Sequence, residues 1–125
     1  MKHDQERTID ELVQDAEQLF AEGKYGKSGK LFKEIVENTG DGKHLSTAYL
    51  HFGQLAGIQN DADGEIYWYN LALDKNPLNS YAYDALAGVY TELGDDTRAR
   101  VYEDRANEIN QMRSRLRGES ENKTQ

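Results

Sequence analysis

The chain has 125 residues, of which 37% are hydrophobic and 30% charged, with a formal net charge of -8 and Cys 0. This length suits one domain, the acidic balance disfavours nucleic acids and anionic membranes, and the lack of cysteine excludes disulfides and thiolate metal sites. No apolar run approaches the ~20 residues of a membrane span, and the first residues lack a leader pattern. The composition therefore predicts a cytoplasmic protein.

The first third of the chain carries two helical patterns. Residues 1–7 are polar and are predicted to be flexible. Thr8 and Glu11 have capping-box spacing at the start of a helix predicted to end near Glu22, and a second helix is predicted over residues 27–37. Apolar residues recur at helical spacing in both: Leu12, Ala16, Leu19 and Phe20, then Leu31, Phe32, Ile35 and Val36. A loop is predicted over residues 39–44.

Four more helices are predicted in the rest of the chain, over residues 46–59, 62–75, 80–93 and from 95 onward. Pro77 ends the fourth because proline cannot continue a helix, and Gly94 ends the fifth. The sixth has Gln111 at the position corresponding to Pro77, so it is predicted to run to residue 116 or 117. Residues 118–125 are predicted to form a disordered tail.

A pattern of apolar and small residues occurs twice between residues 46 and 110. A shift of 34 residues places Ser46 on Ser80 and Ala72 on Ala106. A weaker copy over residues 9–42 lies 37 residues earlier, so that Ala16 corresponds to Gly53. A period of about 34 residues that contains two amphipathic helices is typical of a helical repeat.

These residues resemble the tetratricopeptide repeat (TPR) family over residues 9–112. The resemblance rests on the segments LHFGQLAG, YWYNLALDKNP and YDALAGVYTELGD, and on small residues at repeat positions, Gly53, Ala72, Ala87 and Ala106. It implies an all-α fold, an α-solenoid of three TPR-like helix-turn-helix repeats over residues 9–42, 46–79 and 80–113, with the last helix extended. Glu65 departs from the pattern, which places a small residue at this close helix crossing.

The sequence gives no pattern for catalysis. His3, His44 and His51 are not spaced as a metal-ligand pair, and no phosphate-loop or nucleophile-elbow pattern occurs. Residues 60–65 lack the third oxygen ligand before glycine and the spaced terminal glutamate of a calcium loop. We therefore expect no enzyme, no metal and no cofactor. The resemblance places Tyr49, Tyr83 and Tyr90 at packing positions, so these aromatics are interpreted as core. A base-stacking surface is disfavoured because the chain is acidic.

The resemblance implies that the first helix of each pair lines a concave groove that binds an apolar to basic peptide or protein. The residues implied for this inner-face set are Val13, Glu17, Phe20, Leu50, His51, Gln54, Ile58, Tyr81, Asp84, Gly88 and Thr91. Five of them, Val13, Phe20, Leu50, Ile58 and Tyr81, are expected to form an exposed apolar strip. The set has no lysine or arginine, so a clamp for the carboxylate of an acidic chaperone tail is not expected.

The sixth helix provides an alternative. Its six arginines are interleaved with acidic residues and are interpreted first as a solvated helix face with internal ion pairs. A self-associating structural protein, in which this uncapped helix contacts the acidic start of another copy, is the alternative function. This alternative implies a homo-oligomer.

Overall fold

The computed structural model describes residues 7–122, with side chains up to residue 118. In this range the chain forms six α-helices and no strand, which confirms the predicted all-α class. The helices are α1 Ile9–Ala21, α2 Tyr25–Asn38, α3 Gly42–Ile58, α4 Ala62–Lys75, α5 Ser80–Glu92 and α6 Asp96–Asn122. Most of the predicted flexible N-terminus, residues 1–6, and the last three residues of the predicted tail lie outside the described residues.

The capping box at the start of α1 is confirmed. The Thr8 hydroxyl accepts a hydrogen bond from the Glu11 amide at 3.1 Å, and the Glu11 carboxylate accepts one from the Thr8 amide at 3.0 Å. The backbone amide of Thr8, and then its hydroxyl, lower the pKa of Glu11 because they stabilise the carboxylate. These two hydrogen bonds satisfy the backbone amides of Thr8 and Glu11, which would otherwise lack a partner at the start of the helix.

Helix α3 begins four residues earlier than predicted. Asp41 caps it by accepting hydrogen bonds from the amides of Lys43 at 2.8 Å and His44 at 3.2 Å, which also lower the pKa of Asp41. A Cβ atom on Gly42 would lie only 2.6 Å from the carbonyl oxygen of Lys75, so this close approach to the end of α4 requires glycine. The predicted loop over residues 39–44 is therefore shorter, and His44 is helical.

Helix α6 continues to Asn122, beyond the predicted end at residue 116 or 117. The prediction placed the end of the helix before Gly118. One glycine costs a helix only about 1 kcal/mol relative to alanine, which is not enough to end it without a cap. Residues 118–122 of the predicted disordered tail are thus helical.

Three of the five connections between the described helices, α1–α2, α3–α4 and α5–α6, have equivalent backbone structure at corresponding positions. Gly23, Asn60 and Gly94 have positive φ angles of 78°, 59° and 81°. The following amides of Lys24, Asp61 and Asp95 each donate a hydrogen bond at 2.9 Å to a carbonyl five residues earlier. Because these positions are separated by the 37- and 34-residue shifts of the sequence repeat, the three hairpins are equivalent in local structure.

The chain divides into two compact units, residues Met1–Pro77 and Leu78–Gln125. In the first unit α1 packs on α2, α2 on α3 and α3 on α4, around a core of Ala16, Phe32, Ile35 and Ala48. The second unit is the α5–α6 hairpin, in which α6 buries Ala99, Ala106 and Ile109.

The crossing of α3 and α4 depends on three glycines. The ring of Tyr69 lies on Gly53, where an added Cβ would be 2.3 Å from the ring carbon Cε1. Gly64 faces Ala56, with 3.2 Å between an added Cβ and the alanine Cβ, so Gly64 takes the small-residue position one residue before Glu65. The Glu65 carboxylate lies over Gly57 and accepts a hydrogen bond from the Tyr69 hydroxyl at 3.3 Å.

Candidate interaction surfaces

The inner-face residues predicted from the sequence fall into three groups by exposure. Leu50 and His51 are buried, with 7% and 9% of their surface exposed. Val13, Phe20 and Gln54 are partly buried, whereas Glu17, Ile58, Tyr81, Asp84, Gly88 and Thr91 are exposed. The residues of α1 and α3 belong to the first unit and those of α5 to the second.

The predicted exposed apolar strip is wrong at Leu50 and is only partly open at Val13 and Phe20. Helix α3 packs against α1, α2 and α4, and Leu50 is buried. Val13 packs against the core of the first unit. Only Ile58, at 49% exposure, and Tyr81, at 70%, are exposed as the prediction required.

Helices α1 and α3 do bring three inner-face residues together. The rings of Phe20 and His51 meet edge to face with centroids 5.3 Å apart, and the Glu17 carboxylate lies 4.0 Å from His51 Nε2. The other face of His51 stacks on Phe32 at 4.4 Å. His51 therefore links α1, α2 and α3 as a packing residue rather than as a free groove residue.

The contacts of His51 define its charge state. Its Nδ1–H donates to the carbonyl oxygen of Thr47 at 2.9 Å. Burial lowers the pKa of His51 below its usual value, and the Thr47 hydrogen bond and the Glu17 charge offset this only partly. His51 is therefore a neutral, apolar-packed imidazole at pH 7.

Acidification is expected to destabilise the first unit through His51. Because the pKa is lower in the folded state, the unfolded chain binds more protons, so this stability is present above pH ~6.5 and is lost as the pH falls toward the folded pKa. The slope contributed by one group is at most about 1.4 kcal/mol per pH unit. Urea unfolding at pH 7.5 and 5.5, followed by fluorescence, measures it. The His51→Phe variant should lose less stability on acidification than the wild type; equal losses would contradict the assignment.

His44 forms a second link between α1 and α3. Its Nε2 lies 2.6 Å from the Asp10 carboxylate, and its Nδ1 lies 3.9 Å from the Asp41 carboxylate without a hydrogen bond. Local sequence spacing did not indicate this contact, because Asp10 lies 34 positions away in the chain.

An open aromatic groove lies in the first unit, between α2 and α4, with α3 as its floor. It encloses about 480 Å³. Its lining residues are Lys33, Val36 and Glu37 of α2, Tyr49 and Phe52 of α3, and Tyr67, Trp68 and Leu71 of α4. The groove is open because α2 and α4 both pack on α3 and leave the Tyr49–Phe52 side of α3 only partly covered.

The aromatic rings that line the groove contact one another, with Trp68 at the centre. Trp68 stacks on Tyr49 with centroids 5.8 Å apart and an interplanar angle of 21°. It also contacts Phe52 at 5.0 Å, and Tyr67 meets it edge to face at 5.0 Å. Tyr67 nevertheless keeps 62% of its surface exposed. The sequence interpretation placed Tyr49 in the core and predicted no aromatic surface here. Tyr67, Trp68 and Tyr69 are consecutive, however, and three consecutive residues of a helix cannot all face one side.

The arginines of α6 are largely occupied within the second unit. Arg98 and Arg105 approach Asp95 and Glu108 at 3.6 and 3.4 Å, and Arg113 donates to the carbonyl oxygen of Leu78 at 2.8 Å. Arg98 and Arg105 also lie over the rings of Tyr90 and Tyr83 at 5.6 and 6.0 Å. These contacts are the internal ion pairs and aromatic contacts of a solvated helix face.

Residues 7–122 contain neither a clustered set of metal ligands nor a helix that could span a membrane. No group of three potential metal-ligating side chains lies together in this part of the chain. None of its helices has the length and apolar character needed to cross a bilayer.

No protein-family model matches the chain, and a search of curated proteins found no match either.

Proposed function

We propose that this chain is a non-catalytic protein-interaction module that binds a peptide or protein partner in the aromatic groove of its first unit. The observation that carries the proposal is Tyr67, an aromatic residue 62% exposed at the rim of a hollow of about 480 Å³. Exposed apolar surface of this kind is a frequent sign of an interaction site, and aromatic residues are enriched among the residues that dominate binding energy.

The proposal includes the TPR assignment and its solenoid of three repeats. Its support is the identical turn at Gly23, Asn60 and Gly94, at the spacing of the sequence repeat. In this proposal the partner-binding surface differs from the concave groove implied by the TPR resemblance. Of the apolar residues predicted for that alternative surface, Ile58 and Tyr81 are exposed.

Two exposed tyrosines distinguish the surfaces. Tyr67 lies in the aromatic groove and Tyr81 in the inner-face set, and both side chains are more than half exposed. We expect the immobilised wild-type chain and the Tyr81→Glu variant to retain the same specific partner from native lysate, and Tyr67→Glu to lose it at least ~10-fold, because a charge at the rim must be desolvated on binding. Quantitative mass spectrometry of the eluates measures this. The matched control is circular dichroism, which both substitutions should leave unchanged.

The reverse result, with the partner lost in Tyr81→Glu and retained in Tyr67→Glu, would move the site to the inner face. A Leu50→Glu variant is unsuitable for this comparison, since Leu50 is buried and the substitution would destabilise the fold.

Self-association through α6 is the second candidate. Helix α6 has 27 residues and α5 only 13, and Leu116 near the end of α6 is 60% exposed. The segment from Ile109 to Gly118 carries Arg113, Arg115 and Arg117 and no acidic residue, which complements the net charge of -8. A single monomeric species across concentrations and salt concentrations in analytical ultracentrifugation would exclude this candidate.

A further inference from the structure

The aromatic groove offers hydrogen-bond donors that the protein does not use. No hydrogen bond joins the indole N–H of Trp68, or the hydroxyls of Tyr49 and Tyr67, to another described residue. Indole has only a donor, and a phenol hydroxyl donates readily. A ligand that fits this groove should therefore bring unpaired acceptors as well as apolar surface.

This requirement favours one backbone conformation over another. The carbonyl groups of an α-helix are used within the helix, whereas a polyproline II segment has no internal hydrogen bonds and presents its carbonyls to its surroundings. Proline rings also pack on the faces of aromatic rings, and their restricted backbone lowers the entropy cost of binding. The near-parallel Tyr49–Trp68 stack and the adjoining Phe52 and Tyr67 provide such faces.

The charges at the groove favour a ligand with a basic flank. Glu37 lies at the rim of the groove and forms no ion pair with another described residue. Lys33, one turn earlier on α2, lies at the same rim, but the chain as a whole has a net charge of -8. A cationic residue next to the prolines gains from Glu37 and from the long-range field, whereas an acidic flank is repelled by both.

We propose that the aromatic groove binds an extended, proline-rich segment with a basic flank, held by ring packing and by hydrogen bonds from Trp68, Tyr49 and Tyr67 to its backbone carbonyls. The proposal rests on the proposed function and names the class of partner. The occupant belongs to another protein, because the chain itself has Pro 1, at Pro77.

The groove contains the fluorophore needed to test this. Trp68 is the chain's one tryptophan, so its emission reports the groove directly. We expect a synthetic decaproline with two C-terminal arginines to shift the Trp68 emission saturably. An alanine-based helical peptide with the same two arginines should bind at least ~10-fold more weakly. Circular dichroism verifies that the protein is folded in each titration.

Three variants assign the contacts. Tyr67→Ala should weaken decaproline binding at least ~10-fold, and Tyr67→Phe by a smaller factor that reports the hydroxyl. Tyr81→Ala, an equally exposed tyrosine outside the groove, should leave binding unchanged. Glu37→Gln should lower the affinity for decaproline with the two arginines several-fold. It should not change the affinity for decaproline without arginines.

Any of three results overturns the proposal. The first is the absence of a saturable shift of the Trp68 emission with decaproline and its two arginines up to millimolar concentration. The second is a helical peptide that binds as tightly as that decaproline peptide. The third is a Tyr67→Ala variant that binds the decaproline peptide as tightly as the wild type does. These outcomes are separable from failure of the proposed function. A partner captured from lysate in a Tyr67-dependent manner would preserve the aromatic groove as an interaction site even if proline-rich peptides do not bind. Loss of both would remove the site altogether.

Discussion

Replacing Gly53 with alanine is expected to destabilise the first unit by about 1–3 kcal/mol, although alanine is the better helix former. The added methyl group would lie 2.3, 2.6 and 2.9 Å from three carbon atoms of the Tyr69 ring. Tyr69 cannot move away easily, because it is 3% exposed and its hydroxyl is bonded to Glu65. Urea unfolding followed by Trp68 fluorescence measures the loss in this unit.

Gly26→Ala is the matched control for Gly53→Ala. Both glycines are helical and lie in the first unit, but a Cβ on Gly26 would meet nothing within 4 Å. This variant should gain about 0.5–1 kcal/mol through reduced flexibility of the unfolded chain and better helix propensity. Combining Gly53→Ala with Tyr69→Leu should reduce the penalty of the alanine. Equal stabilities of the Gly53→Ala and Gly26→Ala variants would contradict the close crossing of α3 and α4.

Replacing Phe32 with alanine is expected to cost the first unit about 3–5 kcal/mol, the range for a buried phenylalanine. Phe32 is 0% exposed, forms the core with Ala16, Ile35 and Ala48, and stacks on His51. Its removal leaves a cavity between three helices that cannot collapse without moving α2. The free energy of unfolding from urea titration at pH 7.5 measures the loss.

Tyr67→Ala serves as the control for Phe32→Ala, because it truncates an aromatic residue that is 62% exposed. Its effect on stability should remain within about ±0.5 kcal/mol, as is usual for surface positions. A loss of several kcal/mol in Tyr67→Ala would show that the aromatic groove is a structural element, and would weaken its assignment as a binding surface.

The helices and turns were predictable because their determinants are local. The Thr8–Glu11 capping box, the bounds of α4 and the turn at Gly94 follow from residues within one or two turns of one another. Periodicity then gave the helical repeat, whose register the backbone confirms at Gly23, Asn60 and Gly94. The start of α3 was missed because Gly40 and Gly42 flank the capping residue Asp41 and suggested a loop. The contact that requires Gly42, its approach to Lys75, lies more than 30 positions away and was not visible in the sequence.

The proposed binding surface was harder to predict because exposure depends on which helices cover which face. Helical spacing placed Leu50 and Tyr49 on different sides of α3, but not which side is covered. The structure buries Leu50 and leaves Tyr49 partly open in the aromatic groove. The family resemblance pointed to the inner face, whereas the aromatic groove required the positions of α2, α3 and α4 together.

The central claim is that partners bind the aromatic groove of the first unit. Hydrogen–deuterium exchange on the chain alone and saturated with its captured partner tests this directly, because it maps contact without assuming the partner's chemistry. The account predicts that protection on binding concentrates in residues 33–37 and 67–71, the segments of α2 and α4 that line the groove. Protection confined to α5 or α6, with these two segments unchanged, would contradict it.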